Sequence, residues 1–233
     1  MFGRKTQDAE TVVAVLAAAI RRDIAFGVLP PDAKLKIEPL RAQYGGSAHS
    51  MREALLQISV EGLVEANAQR GFRVASATQA DLEDITRLRV EIECLGLRWS
   101  MERGDIDWEG RVVAARHSLS RTEREIAADP LGLAMEWEEF NHRFHAALIE
   151  ACGSPRLLQM HERLYNQSRR FRLAALKEDL VDFDVSRADH DALLVAVLEH
   201  DPDTAIATLK AHITGNHQRK DEPSKESNRQ AGV

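Results

Sequence analysis

The order of short elements in the first 77 residues constrains the fold of this chain more than any other feature. Apolar spacing, glycine and proline stops and β-type runs predict helices over 11–26, 38–44 and 47–62, then strands over 63–66 and 71–75. Ser47 follows the Gly45-Gly46 pair and can cap the third of these helices. Three helices followed by a hairpin are the layout of a winged helix-turn-helix.

The chain changes character after this segment. From Thr78 to about residue 217 it consists of amphipathic helical stretches, with breaks near 103–105, 128–130, 152–155, 177–183 and 200–203. This pattern predicts an all-α bundle of six or seven helices. The fold class is therefore mainly α, with a winged helix-turn-helix at 1–77 and a bundle at 78–217. Residues 218–233 are polar without an apolar period, and we expect a disordered tail.

Charge divides at the same boundary. The whole chain has a net charge of −6, but residues 1–77 carry ten Lys/Arg against eight Asp/Glu. A slightly basic module beside an acidic one indicates two tasks, one of them facing a polyanion. No apolar run approaches the ~18 residues of a membrane span, the start of the chain lacks the apolar core of a secretion signal, and only two cysteines are present. We therefore expect a cytoplasmic protein without a membrane partner.

Candidate DNA contacts follow from the geometry of the motif. The second helix of a helix-turn-helix pair presents its N-terminal residues to base edges, and free N–H groups at that end receive phosphates. The candidates are Ser47, His49, Ser50 and Arg52 on the helix, and Gln69, Arg70 and Arg73 on the wing. Taken singly, each of these residues is equally compatible with a capped helix or a solvated hairpin. Taken together they favour double-stranded DNA as a partner.

Histidines are concentrated in the helical part, which holds eight of the nine. Asn141 and His145 are one helical turn apart, while His190 and His212 lie about equally far from the helix stop at 200–203. Two helix pairs can thus aim these four side chains at one point inside a bundle, where metal sites are common. Imidazole suits zinc, nickel, copper or iron. Spacing alone leaves chance as the alternative. The histidines at 117, 161, 200 and 217 are expected at the surface or at helix ends.

The N-terminal motifs resemble a known family. Residues 44–55, YGGSAHSMREAL, followed by EGLV at 61–64 and QRGFRV at 69–74, are similar to the N-terminal domain of GntR-family transcriptional regulators. The resemblance implies a homodimer that binds a palindromic operator. Gly46 stands where the family usually has Val, and Ala48 where it often has Arg. We therefore expect an altered operator, with His49 and Arg52 more important than usual.

The helical part resembles the FCD effector domain of the FadR subfamily. The segment 141–148, the histidine elements around His190 and His212, and the helix at 81–93 carry this likeness. It implies a divalent transition metal at Asn141, His145, His190 and His212, with zinc first and nickel or another metal next. It also implies a small carboxylate effector beside the metal, bound by Arg89 and, less specifically, by Arg172. The usual Asp is Asn141 here, so we expect weaker metal binding and a metal charge that attracts an anionic effector more strongly.

Other interpretations remain open at the level of sequence. Arg89 can pair with Glu93 at i, i+4 on the surface, and the cluster at 169–172 can be a solvated face. The main reading is a ligand-responsive regulator, expected to repress, that is not an enzyme. Its alternative is a metal-dependent enzyme, although no Asp or Glu is expected near the histidines as a general base. A third reading gives the histidines a purely structural role.

Overall fold

A computed structural model describes residues 3–67, 69–126 and 128–215 of the chain. In chain order the elements are α1 (Gly3–Ala25), β1 (Lys34–Leu35), α2 (Ile37–Tyr44), α3 (Ala48–Val60), β2 (Val64–Asn67), β3 (Gly71–Val74), α4 (Gln79–Arg103), α5 (Ile106–Glu125), α6 (Ala134–Ile149), a 3-10 turn (Glu150–Cys152), α7 (Pro155–Lys177), α8 (Phe183–Leu198) and α9 (Pro202–Gly215). The predicted fold class, a winged helix-turn-helix followed by a helical bundle, is confirmed. The predicted disordered tail lies outside the described residues.

Two compact units make up the structure. The N-terminal unit comprises the chain up to Ile85 together with Glu162–Leu173 of α7, and the helical unit comprises Thr86–His161 and the chain from Ala174 on. The helical segment belongs to the N-terminal unit because its side chains donate to main-chain carbonyls there. Arg170 Nη1 donates to Ala75 O at 2.9 Å, Arg170 Nη2 donates to Ser76 O, and Gln167 donates to Glu61 O at 3.2 Å.

The N-terminal unit packs three helices against a small antiparallel sheet. Its strand order is β1-β3-β2, with Leu35 opposite Phe72 and Val64 opposite Val74. β1 was not predicted, because a two-residue strand is too short to show alternation in the sequence. Residues one helical turn apart on α1 and α3 form the core, which includes Leu16, Ile20, Ile24, Met51, Leu55 and Ile58.

The turn between α2 and α3 depends on glycine. Gly45 and Gly46 have φ angles of 81° and 79°, in the left-handed region that side chains with a Cβ rarely adopt. A Cβ on Gly46 would also lie 2.9 Å from Leu16 Cδ1. A residue with a Cβ would therefore be strained at position 46. Ser47 then caps α3, its Oγ accepting from the Ser50 N–H at 3.0 Å.

The helical unit contains α5, α6, α8, α9 and parts of α4 and α7. Its helices end at the predicted breaks, and side-chain caps define the starts of α5, α7 and α8 at Asp105, Ser154 and Asp182. Within the described residues, no helix has both the length and the apolar character that crossing a membrane requires.

Gly96 allows α4 to approach its neighbours closely. A Cβ at this position would lie 2.9 Å from Ile149 Cβ and from Leu157 Cδ2, closer than real Cβ contacts allow. Gly110 on α5 is the opposite case, since a Cβ there would meet nothing within 4 Å.

We therefore expect opposite effects from the same substitution at these two helical positions. Gly96→Ala should lower the free energy of unfolding by about 1–3 kcal/mol through overpacking. Gly110→Ala should raise it by about 0.5–1 kcal/mol, because alanine favours a helix over glycine. Urea denaturation of both variants beside the wild type measures the difference. A Gly96→Ala protein as stable as Gly110→Ala would contradict the close approach.

Candidate metal centre and DNA interface

Three histidine rings meet in the core of the helical unit. His145 on α6, His190 on α8 and His212 on α9 are each at most 1% exposed, and one potential ligand atom from each lies within 4.8 Å of the others. The Nε2 atoms of His190 and His212 are 3.1 Å apart. Two imidazole ligands of a tetrahedral zinc ion, each about 2.0–2.1 Å from the metal, would be about 3.3 Å apart. The separation therefore suits a shared metal ion.

A carboxylate contacts the Nδ1 atom of each of these rings. The pairs are His145 Nδ1 with Glu93 Oε2 at 2.6 Å, His190 Nδ1 with Glu123 Oε1 at 2.7 Å, and His212 Nδ1 with Asp189 Oδ2 at 3.2 Å. An ionised carboxylate only accepts hydrogen bonds, so the ring nitrogen facing it carries the proton. In a neutral imidazole this leaves the Nε2 lone pair for a ligand, the usual support of metal-binding histidines.

Burial keeps the rings of His145 and His190 neutral. It lowers the pKa of His145 to about 3, even though the nearby Glu93 carboxylate acts in the opposite direction. Burial also lowers the pKa of His190 well below its ordinary value, with His212 and Arg116 adding to the effect. At neutral pH these two imidazoles are therefore uncharged, the form that a metal requires.

Glu93 is a buried charge with several partners. Burial alone would raise the pKa of its carboxyl, but Arg89, His145 and His161 together hold it well below the ordinary value. Arg89 Nε donates to Glu93 Oε1 at 2.7 Å, and His161 Nε2 lies 3.8 Å from the same oxygen. The Arg89–Glu93 pair that the sequence allowed on the surface thus exists, but it lies in the core, with side chains 3% and 1% exposed.

A second buried arginine repeats the arrangement behind His190. Arg116 Nη1 donates to Glu123 Oε2 at 2.8 Å, and Arg116 also pairs with Asp191. Burial raises the pKa of the Glu123 carboxyl, and Arg116 opposes that rise. Two Arg–carboxylate–His chains therefore converge on one point.

Acidic groups lie near the histidines, but each contacts an Nδ1 atom, and two of them are also paired with arginine. One expectation about the histidines was wrong. His161 is not at the surface, since it is 2% exposed and stacks on His142 with ring centroids 6.0 Å apart. The exposed His117 and His200 agree with expectation, whereas His217 lies outside the described residues.

The other candidate residues of the helical part are also buried. Asn141 is 3% exposed and lies one turn before His145 on α6. Arg172 is 3% exposed, its Nη1 donates to Ser168 Oγ at 2.5 Å, and its guanidinium lies 4.1 Å from the centre of the Tyr165 ring. Arg172 and Arg170 are therefore not part of a solvated face.

The candidate DNA-binding residues in and next to α3 lie on an exposed side of that helix. Met51, Ala54, Leu55 and Ile58 are buried, which leaves His49, Arg52 and Glu53 on the solvent face. Ser47 and Ser50 occupy the N-terminal end, where their hydroxyl oxygens are 2.9 Å apart. The capping role of Ser47 uses a lone pair of its oxygen, and its hydroxyl proton remains a possible donor.

The wing presents its polar residues at the tip of the hairpin. Asn67 Oδ1 accepts the N–H groups of Gln69 and Arg70 at 2.9 and 3.1 Å, which fixes the turn. The Gln69 and Arg70 side chains are exposed. Arg73, 3.9 Å from Asp32, lies opposite Lys34 and Glu65 in the sheet.

Two family models match this chain. The model of the family described as "Bacterial regulatory proteins, gntR family" matches residues 13–74, and the FCD domain model matches residues 84–215. The HTH-type transcriptional regulator BphR of Paraburkholderia xenovorans is 36% identical over 194 residues, 83% of this chain and 79% of that protein. The HTH-type transcriptional repressor GlaR of Escherichia coli is 34% identical over 197 residues, 83% of this chain and 89% of that protein. The solved structure of Escherichia coli McbR/YncC has a TM-score of 0.69 at 22% identity, covering 88% of this chain and 94% of that one, and shares the fold.

The neutral buried histidines make the stability of the metal-free protein depend on pH. In the unfolded chain a histidine takes up a proton below about pH 6.5, whereas His145 stays neutral in the folded protein down to a pKa of about 3. Between these values the unfolded state binds more protons, so acid favours unfolding. The free energy of unfolding, measured with a chelator present, should fall between about pH 7 and about pH 5. The share of His145 should approach about 1.4 kcal/mol per pH unit. In His145→Gln the free energy of unfolding should depend less steeply on pH, by the contribution of His145. Equal slopes in the variant and the wild type would contradict the low pKa of His145.

Proposed function

This chain belongs to the gntR family of bacterial regulatory proteins and carries an FCD domain, which makes it a DNA-binding transcriptional regulator, and we propose that it is a repressor controlled by a small organic acid. The observation that carries the proposal is the convergence of three buried, carboxylate-supported histidines in the domain that follows the winged helix. The similarity of 83% of this chain to the repressor GlaR supports repression rather than activation.

Operator binding is assigned to residues 1–77. The exposed face of α3 with His49 and Arg52 enters the major groove, while Ser47 and Ser50 contact a phosphate at the helix start. Gln69, Arg70 and Arg73 contact the flanking backbone or groove from the wing. Ala48 can touch a thymine methyl group, in keeping with an altered operator. The chain acts as a homodimer on a palindromic site, because two-fold operators mirror two-fold proteins.

Metal binding is assigned to the domain at 78–217. The Nε2 atoms of His145, His190 and His212 would hold a divalent transition metal, zinc first and nickel or another next, with the Asn141 carbonyl oxygen as a fourth, neutral ligand. When bound, the metal supplies a Lewis-acidic positive centre for a carboxylate. The donor set fits, since Nδ1 of each ring is already occupied by an acidic partner.

The effector is a small carboxylate that binds beside this centre. With Asn141 in place of an aspartate, no ligand of the metal carries a negative charge, so an anionic effector is attracted more strongly. Arg89 contributes a buried cation one turn from Glu93 on α4, and Arg172 stays a predicted second cation. Effector binding changes DNA affinity to the extent that it favours one arrangement of the protein over another.

An enzymatic role finds no support in the comparisons, since the matching families and relatives are transcription regulators. The carboxylates nearest the histidines are also committed to imidazole or guanidinium groups, which leaves them poorly suited as general bases.

DNA binding is tested by Arg52→Ala in a gel-shift titration with the upstream region of the protein's own gene. We expect a loss of about 1–3 kcal/mol of binding free energy if Arg52 reads a base edge. If it contacts a phosphate, the salt dependence should decrease by about one unit of slope. Arg121→Ala is the matched control, because it removes another exposed cation, from α5. Unchanged affinity for Arg52→Ala, or an equal loss in both variants, would remove Arg52 from the interface.

Metal binding is tested by elemental analysis and chelator competition on the purified full-length chain. The wild type should hold about one divalent ion per chain, and His145→Ala or His212→Ala should weaken binding by at least about 10–100-fold. Asn141→Asp should tighten it, because a carboxylate replaces a neutral ligand. His117→Ala, a substitution of an exposed histidine, is the control and should behave as wild type. A wild type that binds none of these metals would refute the centre.

A further inference from the structure

Three helices of the helical unit, α4, α6 and α8, run in the same direction around the histidine cluster. Between α6 and α8, Trp137 contacts Phe183 and His145 contacts His190, with ring centroids 5.6 and 5.9 Å apart. Contacts that advance together along both helices require parallel helices. The same holds for α4 and α6, where Glu93 meets His145 and Gly96 packs on Ile149.

These contacts define two levels inside the bundle. The histidine level contains Glu93, His145 and His190, and a second level lies seven or eight residues earlier on each helix. We call it the distal level, made of Thr86 on α4, Trp137 on α6 and Phe183 on α8. At 1.5 Å per residue it lies roughly 10–12 Å from the histidine level. Trp137, Asn141 and His145 follow one another at i, i+4 on a single face of α6.

Two hydrogen-bond donors at the distal level have no acceptor among the described residues. The Trp137 side chain is 3% exposed, and its indole N–H has no hydrogen-bond acceptor there; the buried Thr86 hydroxyl also lacks a hydrogen-bond partner. Buried tryptophan N–H groups normally find an acceptor, and leaving one unmade costs free energy. Two such groups at one level of a core point to an acceptor that arrives with a ligand.

The residues between the histidine level and the distal level are polar as well. Arg89, Asn141 and Ser186 lie about one turn from the histidine level on their helices and are 2%, 3% and 5% exposed. An interior with polar side chains at three successive levels differs from an ordinary helical core, which buries apolar groups. A polar path therefore leads from the histidines to the distal donors.

We propose that Trp137 and Thr86 form a metal-distal subsite that binds the second carboxylate of a dicarboxylic acid effector. This inference rests on the proposed function, which places the first carboxylate at the metal and Arg89. Subtracting the bond to the metal at one end and the hydrogen bond to the distal donors at the other leaves roughly 5–7 Å between the two carboxyl carbons, the span of an extended chain of about five or six carbon atoms. The two donors thus select for effector length, and short monocarboxylates bind without using them.

The experiment is calorimetry on the zinc-loaded full-length protein, with lactate and the straight-chain dicarboxylates from malonate to pimelate as probes. Wild type should bind dicarboxylates of intermediate length more tightly than lactate. Trp137→Phe and Thr86→Val should each weaken that binding by at least about tenfold, as expected for a lost hydrogen bond to a charged group. Lactate affinity should stay within about twofold of wild type.

Thr86→Ser keeps the hydroxyl and should retain the preference for dicarboxylates. Thr86→Val should also leave the melting temperature of the ligand-free protein unchanged or raised, because it removes an unsatisfied polar group, so a folding defect is recognised separately. Equal dicarboxylate affinities in wild type and both donor variants would overturn the subsite while leaving the effector site intact. Equal weakening of lactate and dicarboxylates would overturn it too, since the donors would then not be distal. A wild type that binds no acid would refute the effector proposal itself, and this inference with it.

Discussion

The helical unit is organised around the buried negative charge of Glu93. A carboxylate that is 1% exposed is stable only if positive or hydrogen-bonding groups compensate it. Arg89 supplies the charge from the same helix, while the His145 ring supplies an N–H from α6 and His161 lies close by on α7. Breaking such a buried pair typically costs about 3–5 kcal/mol. The position of His145, and with it the centre, is therefore tied to the charge balance of α4.

That balance fixes the direction of the histidine rings as well as their position. Because Glu93 and Glu123 face the Nδ1 atoms of His145 and His190, the Nε2 lone pairs point away from the acids and towards the common point. Arg89 and Arg116 neutralise these two acids, so the two acids contribute little net charge to the centre. A divalent ion ligated there by neutral groups would keep its charge, which is the physical reason for expecting an anionic effector.

The sequence predicted the parts that depend on local rules. The Gly45-Gly46 turn and the Ser47 cap are local, and helical periodicity placed His145, His190 and His212 on converging faces. The supporting acids could not be found this way. Glu123 contacts a ring 67 residues away, and Asp189 faces His212 rather than its neighbour His190. Glu93 did have a signal, its i, i+4 spacing from Arg89, but nothing local distinguishes a buried pair from a surface one. His161 was misjudged because its partner lies on another helix.

The same helix that carries Glu93 begins in the N-terminal unit. Asp81 caps it there by accepting from the Thr78 N–H and hydroxyl, directly after the Ser76 carbonyl that Arg170 holds. Arg89 and Glu93 follow two and three turns later on one uninterrupted helix. An effector that draws the Arg89 guanidinium towards its own carboxylate must weaken or reshape the bond to Glu93. Since Glu93 also links α4 to α6 through its contact with His145, this competition for one guanidinium would couple effector binding to a helix that begins in the N-terminal unit.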